Sequence, residues 1–410
     1  MKVVLITSSQ PSLNPRIVKE ADGLIEAGYE VTLIYQYWND WATALDAKLL
    51  PTKKWKAIKV GGSPHSNYLS YWKSRVLTKA ATILLKKLGL KYGLPELCIG
   101  RSTISLSKQA CKIPADLYIA HNLAALPAAV SAAKKNSAKA GFDAEDLHRY
   151  EMSNNEADSH FKLKKFIEEK YFDKVDYLTT SSPQIVNQYK KLFPNLLFNN
   201  ILNVFPKQVN LGPKTINNEA IKMIWFSQNV GLSRGLQDVI IALRNLQKFE
   251  IEFHILGHLP SPVKYDFDRL VLTLNFPYPP KIFFHEPTDA ISLQKFINEF
   301  DIGLATEPAF SINNDSALSN KIFTYIQSGL AVVASDTTAQ KQLLLEYPDM
   351  GMIYEKNNPG SLAQIIKMYA LDRDLLLKHQ NQAYQYAVET LNWEVEQEKF
   401  LSIIESTLEN

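Results

Sequence analysis

Residues 1–34 read MKVVLITSSQPSLNPRIVKEADGLIEAGYEVTLI, and they decide the fold of the first half of the chain. Residues 3–6 are a continuous apolar run, which is typical of a parallel strand covered on both faces. A polar loop containing Pro11 leads into a helical pattern at 17–25, Gly28 ends that pattern, and 30–34 is again a strand. This succession of strand, loop, helix and strand predicts a βαβ unit.

The same alternation continues along the chain. In the first half it predicts further strands at 116–120, 140–142 and 177–180. After a polar stretch it restarts, with strands predicted at 221–226, 253–256, 281–284, 301–305 and 330–334. Helices are predicted at 235–246, 291–300 and 393–408. Regular alternation of this kind indicates α/β architecture.

The restart predicts two α/β domains. We place the first at 1–205 and the second at 206–385, with a last helical segment, 386–410, packing back towards the first domain. Ligands of open α/β sheets bind at the carboxyl ends of the strands. We therefore expect the two domains to face each other across a cleft, each with its own ligand-binding loops.

Composition narrows the class of protein. The chain has 410 residues, 46% apolar and 21% charged, as in soluble globular proteins. Cys98 and Cys111 are too few for a disulfide framework, and no Cys/His spacing predicts a zinc site. The first apolar run is too short for a signal peptide, and no run of eighteen apolar residues occurs. We expect a cytoplasmic protein with reduced thiols.

The net charge of +3 is the sum of a basic first half and an acidic second half. Residues 1–205 carry 28 basic and 18 acidic residues, whereas residues 206–410 carry 17 and 24. Much of the positive excess lies in the basic segment, residues 48–112, which contains fourteen basic residues and the single acid Glu96. An asymmetry of this kind predicts that the two halves meet different partners.

Within the basic segment, lysines alternate with apolar and aromatic residues in an amphipathic pattern over 71–90. Trp72, Lys73, Lys86 and Lys87 are the candidates for contact with an anionic membrane, since such surfaces attract anionic headgroups. An ordinary helix with a solvated lysine face is the alternative. Contact with nucleic acid is disfavoured, because no nucleic-acid-binding motif accompanies the charge.

Residues 227–238, SQNVGLSRGLQD, join a predicted strand to a predicted helix. Gly231 and Gly235 allow the backbone to approach a ligand, and a helix N-terminus favours an anion. Arg234 adds a planar cation that suits a diphosphate. The stretch is neither GxGxxG nor a Walker loop, which disfavours dinucleotide-binding and ATPase functions.

Residues 313–336, NNDSALSNKIFTYIQSGLAVVASD, form the second informative stretch. A polar loop enters a helix near Asn320 and Lys321, Gly329 caps that helix, and an apolar strand follows. The loop is another candidate for contact with a ligand.

Taken together, these stretches resemble a known family. The chain is similar over nearly its whole length to the retaining glycosyltransferases of the GT-B type in the large "group 1" or family-four class. The motifs that carry the resemblance lie in order along the chain: NPR at 14–16, AGYEV at 27–31, DLYIAH at 116–121, FDAED at 142–146, Asn203 with Pro206, the loop 227–235, LG at 256–257, and LSNKIFTY at 318–325 through Gly329 to Asp336. The resemblance implies two Rossmann-like domains.

The resemblance also implies roles for individual residues. Catalytic roles fall to His121, near the donor sugar, and to Arg234, on the donor diphosphate. Donor-binding positions are Ser227, Gln228, Asn229, Gly257, Glu286, Asn313, Ser316, Ser319, Asn320, Lys321 and Thr324. Positions on the acceptor side are Asn14, Arg16, Glu145, Asp146 and His148. A nucleotide-diphosphate sugar is the implied co-substrate, with neither a cofactor nor a metal.

The sequence departs from the family pattern in two places. Many members carry two glutamates eight positions apart where this chain has Ser316 and Thr324, and the second glutamate contacts the nucleotide ribose. A hydroxyl can hydrogen-bond a ribose, but it is not a charged bidentate acceptor. Ala144 stands where histidine is common nearby, so the 143–148 loop has a solvated loop as its alternative. For His121 the alternative is a structural hydrogen bond at a strand end.

Three functions remain open at this level. The first is transfer of a sugar to a lipid-linked or polysaccharide acceptor in surface glycan biosynthesis, with the enzyme cytoplasmic or peripheral on the inner face of the membrane. The second is a sugar-nucleotide epimerase of the same fold. The third is a non-catalytic partner subunit, suggested by Ser316 and Thr324.

Overall fold

The computed structural model describes residues 1–208, 214–215, 219–288 and 290–409. The chain divides into two compact units. The first unit is Met1–Leu202 with Ser311–Asn313 and Gln397–Asn410, and the second unit is Asn203–Phe310 with Asn314–Glu396. The change from one unit to the next thus falls between Leu202 and Asn203, three residues before the predicted boundary.

In the described part of the first unit, seven strands form one parallel sheet in the order β3-β2-β1-β4-β5-β6-β7. Their bounds are β1 Lys2–Thr7, β2 Glu30–Gln36, β3 Lys56–Val60, β4 Leu117–His121, β5 Lys139–Ala144, β6 Tyr177–Thr180 and β7 Phe198–Asn200. The register pairs Thr7 with His121 and His121 with Asp143. Polar residues therefore lie at or next to the carboxyl ends of three neighbouring strands.

The helices of the first unit follow from local signals. They are α1 Pro15–Glu26, α2 Asp40–Leu49, α3 Tyr68–Leu88, α4 Leu94–Cys98, α5 Thr103–Ala110, α6 Leu126–Asn136, α7 Ser159–Tyr171 and α8 Pro183–Leu192. The first is typical: Asn14 caps its N-terminus by accepting a hydrogen bond from the Ile17 amide, and Pro15 occupies the first turn. Gly28, at φ 87°, then makes the turn into β2.

In the described part of the second unit, six strands form a parallel sheet in the order β10-β9-β8-β11-β12-β13. Their bounds are β8 Ile221–Asn229, β9 Ile251–His258, β10 Lys281–His285, β11 Ile302–Ala305, β12 Ala331–Ser335 and β13 Gly351–Tyr354. The direction of strand addition reverses between β8 and β11. In open α/β sheets a ligand binds outside the carboxyl ends of the strands at such a reversal.

The remaining helices cover the second sheet and end the chain. They are α9 Leu236–Asn245, α10 Ser261–Leu274, α11 Ala290–Ile297, α12 Ile312–Ser316, α13 Asn320–Gln327, α14 Thr338–Glu346, α15 Pro359–Leu371, α16 Arg373–Glu389 and α17 Trp393–Glu409. Residues from Gln397 onward in α17 are part of the first unit, where the Gln397 amide donates to Glu26. No helix among the described residues is long and apolar enough to cross a membrane.

The predicted fold class, two Rossmann-like α/β domains, is confirmed. Three strands were not predicted from the sequence. β3 is only half buried, β7 has three residues, and β13 is short and begins at a glycine, so none has a strong apolar run. Several predicted ends differ from the structure, two of them by three residues. β8 continues three residues beyond Phe226, because its pairing with β9 resumes after a register shift at Asn229. α11 stops at Ile297, because Phe300 belongs to a turn and packs against His254.

Candidate active site

The loop after β8 presents an arginine at the point where the second sheet reverses. Residues Leu232–Arg234 form a short 3₁₀ turn, and Gly235 follows at φ 78°. A Cβ on Gly235 would lie 2.4 Å from the Thr306 carbonyl oxygen, so only glycine fits this approach to the end of β11. The Thr306 hydroxyl donates to the Arg234 carbonyl oxygen over 2.8 Å. The backbone at Arg234 is thereby fixed, while its side chain is exposed and makes no ion pair with any described residue.

The start of α13 lies at the same edge of the second sheet. Ser319 precedes the helix without a side-chain cap, and the first turn contains no acidic residue. Exposed Asn320 accepts a hydrogen bond from the Asn203 amide, 2.9 Å away. The Lys321 ammonium is buried, with its Nζ 2.6 Å from Oε1 of Glu307. Arg234, Lys321 and a helix N-terminus thus form a positive edge suited to an anion.

Glu307 also belongs to this edge, although the sequence alone did not predict it. It lies two residues beyond β11, and the Asn314 amide donates to its Oε2 over 3.2 Å. Burial raises the pKa of the Glu307 carboxyl, but the neighbouring Lys321 ammonium, the Asn314 hydrogen bond and the Arg234 guanidinium bring it below its ordinary value overall. The available signal was weak: an acidic residue that closely follows an apolar strand.

Ser316 and Thr324, which stand at the positions of the two family glutamates, are both buried. The Thr324 hydroxyl donates to the Asn320 carbonyl oxygen over 3.0 Å. It therefore retains only acceptor capacity towards a ligand. The charged acceptor beside α13 is Glu307 rather than either of these residues.

The other predicted donor-binding residues lie at the carboxyl ends of β8 and β9 and directly after β10. Ser227 is half-buried, whereas Gln228, Asn229 and Glu286 are exposed. Gly257 is required by packing, because its φ is 153° and a Cβ there would lie 2.2 Å from the Ser227 carbonyl oxygen. These residues share the carboxyl edge of the second sheet with Arg234, and their contact with a nucleotide stays a prediction.

In the first unit, His121 ends β4 with none of its surface exposed. Its Nε2 lies 2.9 Å from Glu20, and its Nδ1 lies 3.3 Å from both Asp143 and Glu145. Burial lowers the pKa of His121, but the three carboxylates outweigh it and raise the pKa from 6.5 to about 10. At neutral pH His121 is therefore a buried cation. This geometry supports the structural alternative, and a catalytic role stays a prediction.

Arg16 is the second cation of this cluster and is also fully buried. Its Nε and Nη2 donate to the two oxygens of Asp143 over 2.5 and 2.9 Å, and its Nη1 donates to the Ile201 carbonyl oxygen over 2.6 Å. Its donors are thus used inside the first unit. The predicted contact of Arg16 with an acceptor has no support from this geometry.

Glu145 is the most accessible carboxylate of the cluster, with 21% of its side chain exposed. The Asn14 amide donates to its Oε1 over 2.6 Å, and the pKa of its carboxyl is lowered, since the His121 cation and Asn14 outweigh burial. Glu145 is therefore an oriented, ionised carboxylate at the carboxyl edge of the first sheet. Of the predicted acceptor-side residues, Asn14 and Glu145 are brought together here.

Glu20, His121 and Asp143 offer ligand atoms within 4.8 Å of one another, a spacing that could hold a metal ion. However, Arg16 already donates to Asp143 and lies 3.4 Å from Glu20, so a cation already lies beside both carboxylates. The donor set therefore does not favour a metal.

Asn313, predicted to bind the donor, contacts the loop that was predicted to lie on the acceptor side, and its contact with a donor stays a prediction. Its amide donates to Asp146 over 3.0 Å, its side-chain oxygen accepts from the Leu147 amide over 2.7 Å, and Ser311–Asn313 belongs to the first unit. Burial and the nearby Glu151 carboxylate raise the pKa of Asp146. His148 is buried, with its Nδ1 3.7 Å from Glu151, which raises the pKa of His148 despite burial. The structure thus groups Asn313 with the loop after β5.

The predicted membrane helix, α3, has its large apolar residues on the outside. Only Tyr71 and Ala81 are buried. Trp72, Lys73, Lys86 and Lys87 are all exposed. The exposed large apolar and aromatic residues of α3 are Tyr68, Leu69, Trp72, Val76, Leu77, Ile83, Leu84 and Leu88. An ordinary surface helix turns such residues inwards.

No protein-family model and no curated protein matches the sequence. Solved structures do match. Sucrose-phosphate synthase from Thermosynechococcus elongatus superposes with a TM-score of 0.70 at 11% identity, over 99% of this chain and 98% of that one. HepE of Anabaena in complex with UDP gives a TM-score of 0.70 at 14% identity, over 99% of this chain and 100% of that one.

A third match is a mutant of S. aureus TarM in complex with fondaparinux, alpha-GlcNAc-glycerol and UDP. It gives a TM-score of 0.70 at 13% identity, over 98% of this chain and 99% of that one. These likenesses establish that the chain has the GT-B fold.

Proposed function

We propose that the protein is a glycosyltransferase that moves a sugar, with retention, from a nucleotide-diphosphate sugar to a lipid-linked or polysaccharide acceptor in surface glycan biosynthesis. One observation carries the proposal. Arg234, Lys321 and the N-terminus of α13 converge where the second sheet of a GT-B fold reverses. That is where an open α/β sheet binds its ligand, and the ligand favoured there is an anion.

Cleavage of a donor sugar from its diphosphate leaves negative charge on the leaving group. The exposed Arg234 guanidinium can bind a diphosphate with two parallel hydrogen bonds, and its backbone is held by Thr306. A cation placed where negative charge develops stabilises the transition state. Two of the compared structures contain UDP, which supports a nucleoside diphosphate as the carrier of the sugar.

On the acceptor side, the candidate contact is the Glu145 carboxylate, oriented by Asn14 and His121. Held ionised, it accepts a hydrogen bond from an acceptor hydroxyl. With no enzymic nucleophile identified, the donor phosphate takes the proton of that hydroxyl, and the protein contributes orientation.

The proposal places the protein on an anionic membrane through α3. The helix contains no acidic residue, and its lysines lie beside exposed Trp72, Val76 and Ile83. Cationic and aromatic side chains around an apolar face suit a bilayer surface. A lipid-linked acceptor would be reached from there, on the cytoplasmic side.

The decisive experiment is binding and turnover of a panel of nucleotide sugars by the wild type and by Arg234→Ala. We expect at least one nucleotide sugar to raise the melting temperature of the wild type, because a ligand that binds the folded state stabilises it. Arg234→Ala should bind that ligand at least tenfold more weakly, a loss of about 1.4 kcal/mol. Lys264→Ala, at a partly exposed lysine of α10 that pairs with Asp268, is the control and should bind as the wild type does.

Absence of both binding and hydrolysis, together with no change in Arg234→Ala, would refute the transferase. Interconversion of a nucleotide sugar without any acceptor would instead identify an epimerase. Absence of nucleotide binding together with a stable complex with an active transferase would identify a non-catalytic subunit.

A further inference from the structure

Glu307 is a rigidly held carboxylate at the reversal point of the second sheet. Its carbonyl oxygen accepts from the Ser335 hydroxyl over 2.6 Å, which ties it to the end of β12. Both carboxylate oxygens are engaged, one by Lys321 at 2.6 Å and the other by Asn314 at 3.2 Å. The residue is 8% exposed. Its negative charge is therefore a fixed feature of the site.

The groups around Glu307 are mainly positive. Lys321 is the second residue of α13, where a cation opposes the helix dipole, and the first turn holds no acid to balance it. Lys321 Nζ also lies 5.5 Å from the ring centre of Trp225, which is fully buried. Arg234 is near enough to lower the pKa of the Glu307 carboxyl. Two cations and a helix N-terminus thus share one carboxylate.

We propose that Glu307 is the resident counter-ion of the diphosphate site. It neutralises Lys321 while the site is empty and repels the diphosphate when the site is filled. The name of the anion rests on the proposed function, whereas the counter-ion role rests on the contacts of Glu307 with Lys321 and Asn314. Charges a few ångströms apart in a partly buried site interact strongly, so Glu307 limits affinity.

The role of Glu307 implies a preference between donor and product. A nucleotide sugar carries its sugar on the terminal phosphate as an ester, so that phosphate has one ionisable oxygen fewer than in the free nucleoside diphosphate. The product therefore carries more negative charge than the donor. A fixed carboxylate repels the product more strongly, which favours its release after transfer.

The test compares the wild type with Glu307→Gln by calorimetry, with inorganic pyrophosphate, UDP and UDP-glucose as probes. The glutamine keeps the shape and removes the charge. We expect Glu307→Gln to bind pyrophosphate at least tenfold more tightly, and its gain for UDP to exceed its gain for UDP-glucose. Glu307→Asp, which keeps the charge, should remain within about threefold of the wild type. Adding Lys321→Met should abolish the gain.

Glu250→Gln is the matched control, since Glu250 pairs with Lys281 at 2.7 Å on the exposed edge of the same sheet. It should bind pyrophosphate as the wild type does. Should Glu307→Gln fail to fold, Asn314→Asp tests the same idea in the opposite direction. A second carboxylate beside Glu307 should weaken pyrophosphate binding.

An unchanged or weaker affinity in folded Glu307→Gln, a gain that survives Lys321→Met, or failure of both proteins to bind pyrophosphate would overturn the proposal. Pyrophosphate binding requires no sugar transfer. If pyrophosphate behaves as expected while no nucleotide sugar is bound or used, the proposed function fails and the counter-ion role stands.

Discussion

Two charge clusters lie at the carboxyl edges of the two sheets, and they differ in balance. In the first unit, Arg16 and protonated His121 are enclosed by Glu20, Asp143 and Glu145. In the second unit, Arg234 and Lys321 both act on the carboxylate of Glu307. Cations that are fully matched by fixed anions hold a fold together. Cations left in excess at an accessible edge are available to a ligand.

The largest loss of stability is expected when a cation is removed from the first cluster. Arg16→Met should lower the free energy of unfolding by about 3–5 kcal/mol, because it leaves Asp143 buried without its main partner. Urea unfolding measures the loss. Lys281→Met, which breaks an exposed ion pair with Glu250, should change stability little. Equal effects of the two substitutions would contradict a structural role for the first cluster.

The second prediction concerns pH and the same cluster. The pKa of His121 is about 10 when folded and 6.5 as its ordinary value, so its stabilisation is complete below about pH 6.5 and is lost as pH rises towards 10. Lys19 has the opposite effect on stability. Burial lowers the pKa of Lys19 from 10.5 to about 7, so the cost of burying its charge falls as pH rises from about 7. The three carboxylates that face His121 also interact with Arg16 and Lys19.

The contribution of His121 is isolated by comparison with His121→Gln. The free energy of unfolding of the wild type should fall relative to that of the variant between pH 7 and 10, by an amount of the order of a few kcal/mol. Parallel pH profiles of the two proteins would mean that His121 is not the buried cation inferred here.

The smallest effect is expected at α3, whose lysines make no ion pair with any described residue. If these lysines contact lipid, Lys86→Gln with Lys87→Gln should weaken binding to anionic liposomes, measured by flotation, about thirtyfold, since each lysine near the surface contributes about 1 kcal/mol. Lys190→Gln with Lys191→Gln, a lysine pair at the end of α8, should float as the wild type does. Flotation that is unaffected by the α3 pair, or lost equally in both variants, would count against a membrane role for α3.

Much of the fold could be predicted because its signals are local. The buried run at β1, the Asn14 cap and the Gly28 turn specify strand, helix and turn within one short stretch. Edge strands escaped because β3 is half exposed and β7 is short, so neither has a strong apolar run. Arg234 was likewise selected from a local signal, a cation between a predicted strand and a predicted helix.

The sequence alone determined the α/β class, the two domains and the positions of the candidate cations, because burial periodicity, caps and turns depend on neighbouring residues. Only the tertiary structure decided which charges meet. Arg16 and Asp143 are 127 residues apart and pair because strand order places β5 only two strands from β1, after which α1 begins. Glu307 likewise depends on strand order, because pairing of β11 with β8 brings it near Arg234 as well as Lys321. Contacts of this kind depend on strand order and register, which local sequence patterns do not encode.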